Sequence, residues 1–166
     1  MGLIGSEGML GGTLVLGVSN AGLQGVVQGG GTALRMSSAD ARRELRRSSS
    51  LTRMFSHYLY VMLAQLSQSA ACTRFHQIDA RLARWLLMTR DRLHSDQDHF
   101  HLTHKFLADM LGVQRSAVTI AAGAMQAKKL IRYSRGEIQV VNRKGLEARS
   151  CECYQAVTRD YAALFG

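Results

Sequence analysis

The 166-residue chain contains no proline, so every break between elements must come from glycine, serine or asparagine. It has only three cysteines, Cys72, Cys151 and Cys153. Three thiols make no even disulfide framework and no secretory signal precedes them, so a reducing cytoplasm is the expected location. Charge is missing from the beginning: Glu7 is the only charged side chain before Arg35. No long apolar run is unbroken either. The apolar first 34 residues lack a basic flank and are interrupted by glycine at eleven positions, which argues against a signal peptide or membrane span. The opening "MGLIGS" formally fits an N-myristoylation pattern at Gly2, but no polybasic partner lies nearby. "QGGGTAL" lacks the lysine of a phosphate loop.

What is present is positive charge. Lysine and arginine number 21 against 12 acids, a formal charge of +9. With Glu7 set aside, residues 35–166 hold all 21 basic groups and the other 11 acids. That excess points to a polyanionic partner, nucleic acid first and an anionic membrane surface second.

Residues 1–36 alternate short apolar runs with Gly, Ser and Asn breaks, which reads as short strands with tight turns. Two or three strands must pack on something else, so the segment is expected to be mobile or repaired by dimer contacts. "SSADARRELRR" (37–47) predicts a short basic helix with Ser37 and Asp40 at capping-box spacing. From Leu51 to about Phe75 a long helix fits. Leu51, Phe55, Tyr58, Met62, Gln65, Ser69 and Cys72 recur at the four-and-three spacing of a coiled-coil seam. Met54, Leu59, Leu63 and Leu66 form a second stripe, so one stripe can face the chain's own domain and the other a symmetry mate.

"DARLARWLLMTRDRL" (79–93) is a further amphipathic helix offering Leu82, Trp85, Leu86 and Met88 for burial, and "HSDQDHFH" (94–101) a polar connection. In "LTHKFLADMLGVQRSAV" (102–118), Thr103 can cap a helix that buries Phe106, Leu107, Met110 and Leu111. Gly112 can end it at positive φ, and Val113 plugs the turn. The next helix turns Val118, Ala121, Ala122 and Met125 inward. Gln114, Arg115, Ser116, Thr119 and Ile120 are left outside. This is the layout of a helix-turn-helix, whose outward side can meet base edges and phosphates. "IRYSRGEIQVV" then predicts a hairpin turning at Gly136, with Lys128, Lys129, Arg132 and Arg135 placed for a flanking phosphate backbone. Asn142 can cap one final helix through "LEARSCECYQAVTRDYAALF".

In this order, "ARLARWLLM", "LTHKFLADMLGVQRSAVT" and "LIRYSRGEIQVV" resemble the linking helix, helix-turn-helix and wing of the Crp/Fnr transcription regulators. Helix 51–75 stands where that family has its dimerisation helix, and residues 1–36 loosely resemble part of its β-roll sensor. The resemblance implies that Thr103 and His104 lie near phosphates and that Arg115 reads a guanine, whose O6 and N7 suit a bidentate guanidinium. Ser116 stands where many members have an acid and Ile120 where some have another base-reading arginine, so the operator is expected to differ. Cyclic-nucleotide binders of the family pair an acid with a following arginine. Here Glu7 has no cation behind it before Arg35, so cyclic-nucleotide dependence is not expected. Three cysteines fall short of the four or so that an iron–sulfur cluster needs, and nothing argues for haem. Family members also carry more β-roll before the point matching Met1, so the sensor half is expected to be shortened or degenerate.

Other constellations are weaker. His94, His99, His101 and His104 match no standard zinc spacing. Cys151 and Cys153, two apart on a helix, should face different ways, one buried and one exposed. Asp40, Glu44, Asp79 and Asp109 suggest no acid/base couple, and no Ser/His/Asp set can be assembled, so no enzyme, cofactor or metal is expected.

The expected fold is α+β and mainly helical: partial β-roll strands, a long dimerisation helix and a winged helix-turn-helix. The expected division is 1–47 sensor-like, 48–76 dimerisation helix and 77–166 DNA-binding domain. The expected function is a homodimeric, sequence-specific transcription regulator on double-stranded DNA at a pseudo-palindromic site, with RNA polymerase a candidate further partner and no membrane partner. The alternative is a dimeric protein-interaction module that keeps the fold without reading DNA.

Overall fold

The computed structural model describes residues 1–20, 22–93 and 99–165. It is mainly helical with one small sheet, as the sequence implies. The elements are α1 (Ser38–Arg47), α2 (Ser49–Phe75), α3 (Ile78–Arg90), β1 (His99–His101), α4 (His104–Leu111), α5 (Arg115–Ala127), β2 (Ile131–Ser134), β3 (Glu137–Val140), α6 (Arg143–Arg149) and α7 (Cys153–Phe165). No described helix is long and apolar enough to cross a membrane.

Side-chain caps set most helix starts. Ser37 accepts from the Asp40 N–H at 3.1 Å. Ser48 ends α1 and, accepting from the Leu51 N–H at 3.1 Å, begins α2. Thr103 and Asn142 cap α4 and α6 in the same way. Each satisfies one of the first-turn donors that a helix cannot pair internally.

Helix α3 is the centre of the molecule. Arg81 through Thr89 are all buried, and α4, α5 and the sheet close over them through Leu107, Leu111, Val118, Met125 and Ile138, with Leu146 of α6 on another side. The sheet has the order β1-β3-β2, antiparallel throughout. Phe100, Ile131 and Ile138 face the core, which gives the strands their alternation.

Four expectations are corrected. No strand forms in the described part of residues 1–36; its regular structure there is one 3-10 turn, Gly12–Leu16. Instead of a ladder, side chains hold the segment: Gln65 bonds both the N–H and carbonyl of Leu3, Arg92 donates to that carbonyl at 3.3 Å, and Gln28 donates to Thr89 at 3.1 Å. The connection 94–101 contains a strand at its end; residues 94–98 lie outside the described residues. The single final helix is two, because Ser150 takes an extended conformation (φ −73°, ψ 161°) after α6. The break lets α6 lie on α3 while α7 follows α2. It also turns both Cys151 and Cys153 inward, so neither is exposed.

A polar knot ties that bend to α3. Arg143 donates to Asp91 at 2.7 Å and to the Tyr154 hydroxyl at 2.7 Å, while Tyr154 donates to the other Asp91 oxygen at 2.7 Å. Burial, then the bond to Asp91, pushes the Tyr154 phenol well above its usual range, so it stays a donor. Tyr154→Phe leaves a carboxylate oxygen and a guanidinium N–H short of a partner and should cost about 1–3 kcal/mol. Urea unfolding of the two proteins measures it, as a lower midpoint with an unchanged slope.

Candidate nucleic-acid interface

The turn between α4 and α5 is built by one residue. Gly112 has φ +63° and ψ 44°, and a Cβ there would meet nothing within 4 Å. The requirement is therefore conformational, for the left-handed region that ends α4. Val113 packs on the core behind it, and Val118, Ala121, Ala122 and Met125 hold the inner face of α5. Gln114, Arg115, Ser116, Thr119 and Ile120 remain outside, Ile120 at 73% exposure. The backbone N–H groups of the first turn of α5 lie at the same end of the helix as exposed Arg115, and both favour an anion there. Among the described residues no carboxylate pairs with Arg115.

Thr103 makes the cap that its position predicts, and His104 makes contacts within the fold. The Thr103 hydroxyl caps α4 by accepting from the Phe106 N–H at 3.1 Å. His104 is half-buried; its Nδ1 lies 2.9 Å from the Thr119 hydroxyl, and its ring stacks on Tyr133 at 4.3 Å and 12°. Thr119 donates its own proton to the Arg115 carbonyl at 3.0 Å, so Nδ1 of His104 must be the donor and Nε2 is left bare and buried. Burial and then the charge of Arg115 push the His104 pKa below the usual imidazole range. The ring is thus a neutral rivet joining α4, α5 and β2. Tyr133, which sequence reasoning passed over, completes it, and its N–H is fixed by Gln126 at 2.8 Å. The alternation of β2 could have flagged Tyr133, which shares its face with Ile131. Nothing marked Gln126.

The hairpin turns at Arg135 (φ +51°) and Gly136 (φ +89°), the paired left-handed residues of a two-residue turn. Gly136 has a second constraint: a Cβ would come within 2.5 Å of the His101 ring. Arg135 is exposed at the tip, and Arg132 on β2 is exposed and donates to Gln139 at 3.2 Å. Lys128 and Lys129 are exposed at the far end of α5, about 20 Å along the helix from Arg115. So His104, Gln114, Arg115, Ser116 and Thr119 gather in the first turns of α5, with Thr103 next to His104 in sequence and the lysines at the other end of the helix.

The other histidines do not converge. His101 pairs with Glu137 at 2.8 Å and His104 with Thr119, while His99 is exposed on β1; His94 lies outside the described residues. The expected dimer seam is divided as well. Tyr58, at 2% exposure, and Gln65, at 0%, are covered by the chain's own N-terminal segment. Leu51, Phe55, Met62 and Ser69 are half-buried. Of the second stripe, Leu59 and Leu66 are half-buried; the open side of α2 carries Tyr60 and Leu63, one turn apart, the latter at 64% exposure, while exposed Met54 lies on the opposite side of the helix from Leu63.

Residues 80–149 match the family model of the Crp-like helix-turn-helix domain. Fifteen chains of known structure match. One is a CRP-family transcriptional regulator from Thermus thermophilus, 19% identical, with a TM-score of 0.54 over 62% of this chain and 55% of its own. Another, from Eubacterium rectale and described as of the crp/fnr family, is 20% identical with a TM-score of 0.49, covering 67% of this chain and 50% of its own. The present chain therefore spans about half the length of either, and the first likeness is one of fold. No curated protein sequence matches.

Because the folded-state pKa of His104 lies below its unfolded value, the unfolded chain takes up its proton first as pH falls. Stability from this site is complete above the ordinary imidazole range and is lost on acidification through it. His104→Gln keeps a donor toward Thr119 and should flatten that part of the decline. Thermal midpoints of both proteins between pH 7.5 and 5.5 test this; equal declines would exclude the rivet.

Proposed function

We propose that this chain, whose residues 80–149 match the family model of the Crp-like helix-turn-helix domain, is a sequence-specific DNA-binding transcription regulator that acts as a homodimer. The observation that carries the reading is the head of α5: Arg115 exposed beside Gln114, Ser116 and Thr119, on a helix whose inner face is fully engaged. A guanidinium there can bond guanine O6 and N7 together, and exposed Ile120 suits the methyl group of a thymine. Arg132 and Arg135 on the hairpin and Lys128 and Lys129 below it supply phosphate contacts, which position without specifying.

The dimer is read on α2, through the exposed side that carries Tyr60 and Leu63 rather than through Tyr58 and Gln65. Two α5 helices related by its axis would enter successive major grooves about 34 Å apart, on a pseudo-palindromic site. Residues 1–47 serve as the sensor-like part, 48–76 as the dimerisation helix and 77–166 as the reader. Independence from cyclic nucleotides is supported by Glu7, whose carboxylate already sits 3.7 Å from Arg92.

Selection of bound sequences from random duplexes, followed by anisotropy titrations across salt, tests the reading. Arg115→Ala should lose about 1–3 kcal/mol of discrimination at one base pair, whereas Arg135→Ala should weaken all sequences alike and lower the salt slope by about 1. An Arg115→Ala protein with full affinity and unchanged preference would sink it. Leu63→Asp should move the light-scattering mass from twice the 18.3 kDa chain to the chain alone. A monomeric unmodified protein would remove the two-fold geometry.

A further inference from the structure

The three cysteines, far apart in sequence, meet. Cys72 stands in the last turn of α2 and His76 immediately follows that helix. Cys151 and Cys153 flank Glu152 at the bend between α6 and α7. The three sulfurs and a ring nitrogen of His76 all lie within 4.8 Å of one another, and no other such group occurs among the described residues. The Cys72 and Cys151 sulfurs are 3.5 Å apart, and the Cys153 sulfur is 3.5 Å from His76 Nδ1. All three thiols are free and buried.

A tetrahedral zinc ion with Zn–S of about 2.3 Å and Zn–N of about 2.0–2.1 Å sets its ligand atoms about 3.5–3.8 Å apart. Both measured edges are near that spacing, and the widest pair exceeds it by about 1 Å. The surroundings are those of a metal site too. Nε2 of His76 lies 3.0 Å from a Glu152 oxygen, which fixes the tautomer that aims the Nδ1 lone pair at Cys153. Gln68 donates to the Cys153 sulfur at 3.0 Å. Three thiolates, one neutral imidazole and Zn²⁺ sum to one negative charge. The buried guanidinium of Arg84 opposes it, close enough to act on Cys72.

We propose that Cys72, His76, Cys151 and Cys153 form a structural zinc site. Four protein ligands leave no open position, so the site is closed and supports no reaction at the metal. The spacings Cys-x₃-His and Cys-x-Cys, separated by residues 77–150, resemble no compact zinc motif, which is why the sequence suggested no metal. The ligand pairs bracket the Crp-like segment 80–149. The ion would clamp the end of α2 to the far end of that domain, and its binding energy would add to folding. The inference does not depend on DNA binding.

The test uses the full chain purified under thiol reductant. Elemental analysis should find one zinc per chain. After removal of the metal, Co²⁺ titrated alone should give the intense visible bands of a tetrahedral site and a thiolate charge-transfer band, both erased by added Zn²⁺. Cys151→Ser and Cys153→Ser should abolish that spectrum. Should either fail to fold, the spectrum of the unmodified chain decides alone, together with Glu152→Gln. That exposed substitution keeps all four ligands and should weaken zinc on the order of 10–100-fold. His99→Gln/His101→Gln should change nothing. An octahedral cobalt spectrum, iron in place of zinc, a Cys72–Cys151 disulfide in the freshly purified protein, or a metal lost with His99 and His101 would each overturn the assignment.

Discussion

Helix α3 is sealed from water on every side between Arg81 and Thr89, and the other elements are arranged by what that requires. A helix apolar all round needs partners all round. Here α4, α5, α6, α7 and the sheet supply them, and α2 reaches α3 through polar contacts. Leu82, Leu86 and Leu87 are completely buried, each contributing about 1.5–3 kcal/mol relative to exposure. Two arginines lie in the same sealed stretch and cannot be left unpaired. Arg81 donates to the Leu111 carbonyl, and Arg84 donates to Ser69 of α2 at 3.1 Å.

The bond from Arg81 sets the interface at its root. Leu111 is the last residue of α4, and its carbonyl is among those a helix end cannot pair internally. A cation at that position also suits the negative end of the α4 dipole. The helix is thereby pinned one residue before Gly112, where the chain turns to start α5. From the other side, the His104–Thr119 bond and the Tyr133 stack hold α5 to α4 and to the hairpin. Arg115 projects from a backbone fixed at both ends, so the ordering left for a ligand to impose is that of the side chain itself.

Much of this was legible in residue periodicity and caps. Ser37, Thr103 and Asn142 begin helices because short polar side chains accept from first-turn N–H groups, a local rule. The inner face of α5 followed from spacing alone. The failures are tertiary. Period shows two apolar stripes on α2 but not which one the chain covers, and Gln65 is buried because it bonds both backbone groups of Leu3. Ser150 ends α6 without proline or glycine, since packing on α3 and on α2 cannot be served by one straight rod. In residues 1–36 apolar alternation suggested strands, yet a strand needs a neighbour, and side chains of α2 and α3 occupy that place. The Cys72–His76–Cys151–Cys153 cluster exists only after α6 and α7 have bent.

The last third of α2 is tied to the matched domain by several bonds. Arg84 to Ser69, Arg81 to Thr73 at 3.5 Å, Gln68 to Cys153 and the cysteine cluster all join the last third of α2 to elements beyond it. Coupling of this kind runs through packed groups with no slack between them. The middle of α2 is held differently, by Tyr58 and Gln65 against the N-terminal segment, and its Tyr60–Leu63 side is open. In a dimer formed on the open stripe, the distance between the two Arg115 side chains is therefore governed by the crossing of the α2 pair. On the same helix the N-terminal segment covers Gln65 and Tyr58, so that side of α2 is closed to a second copy.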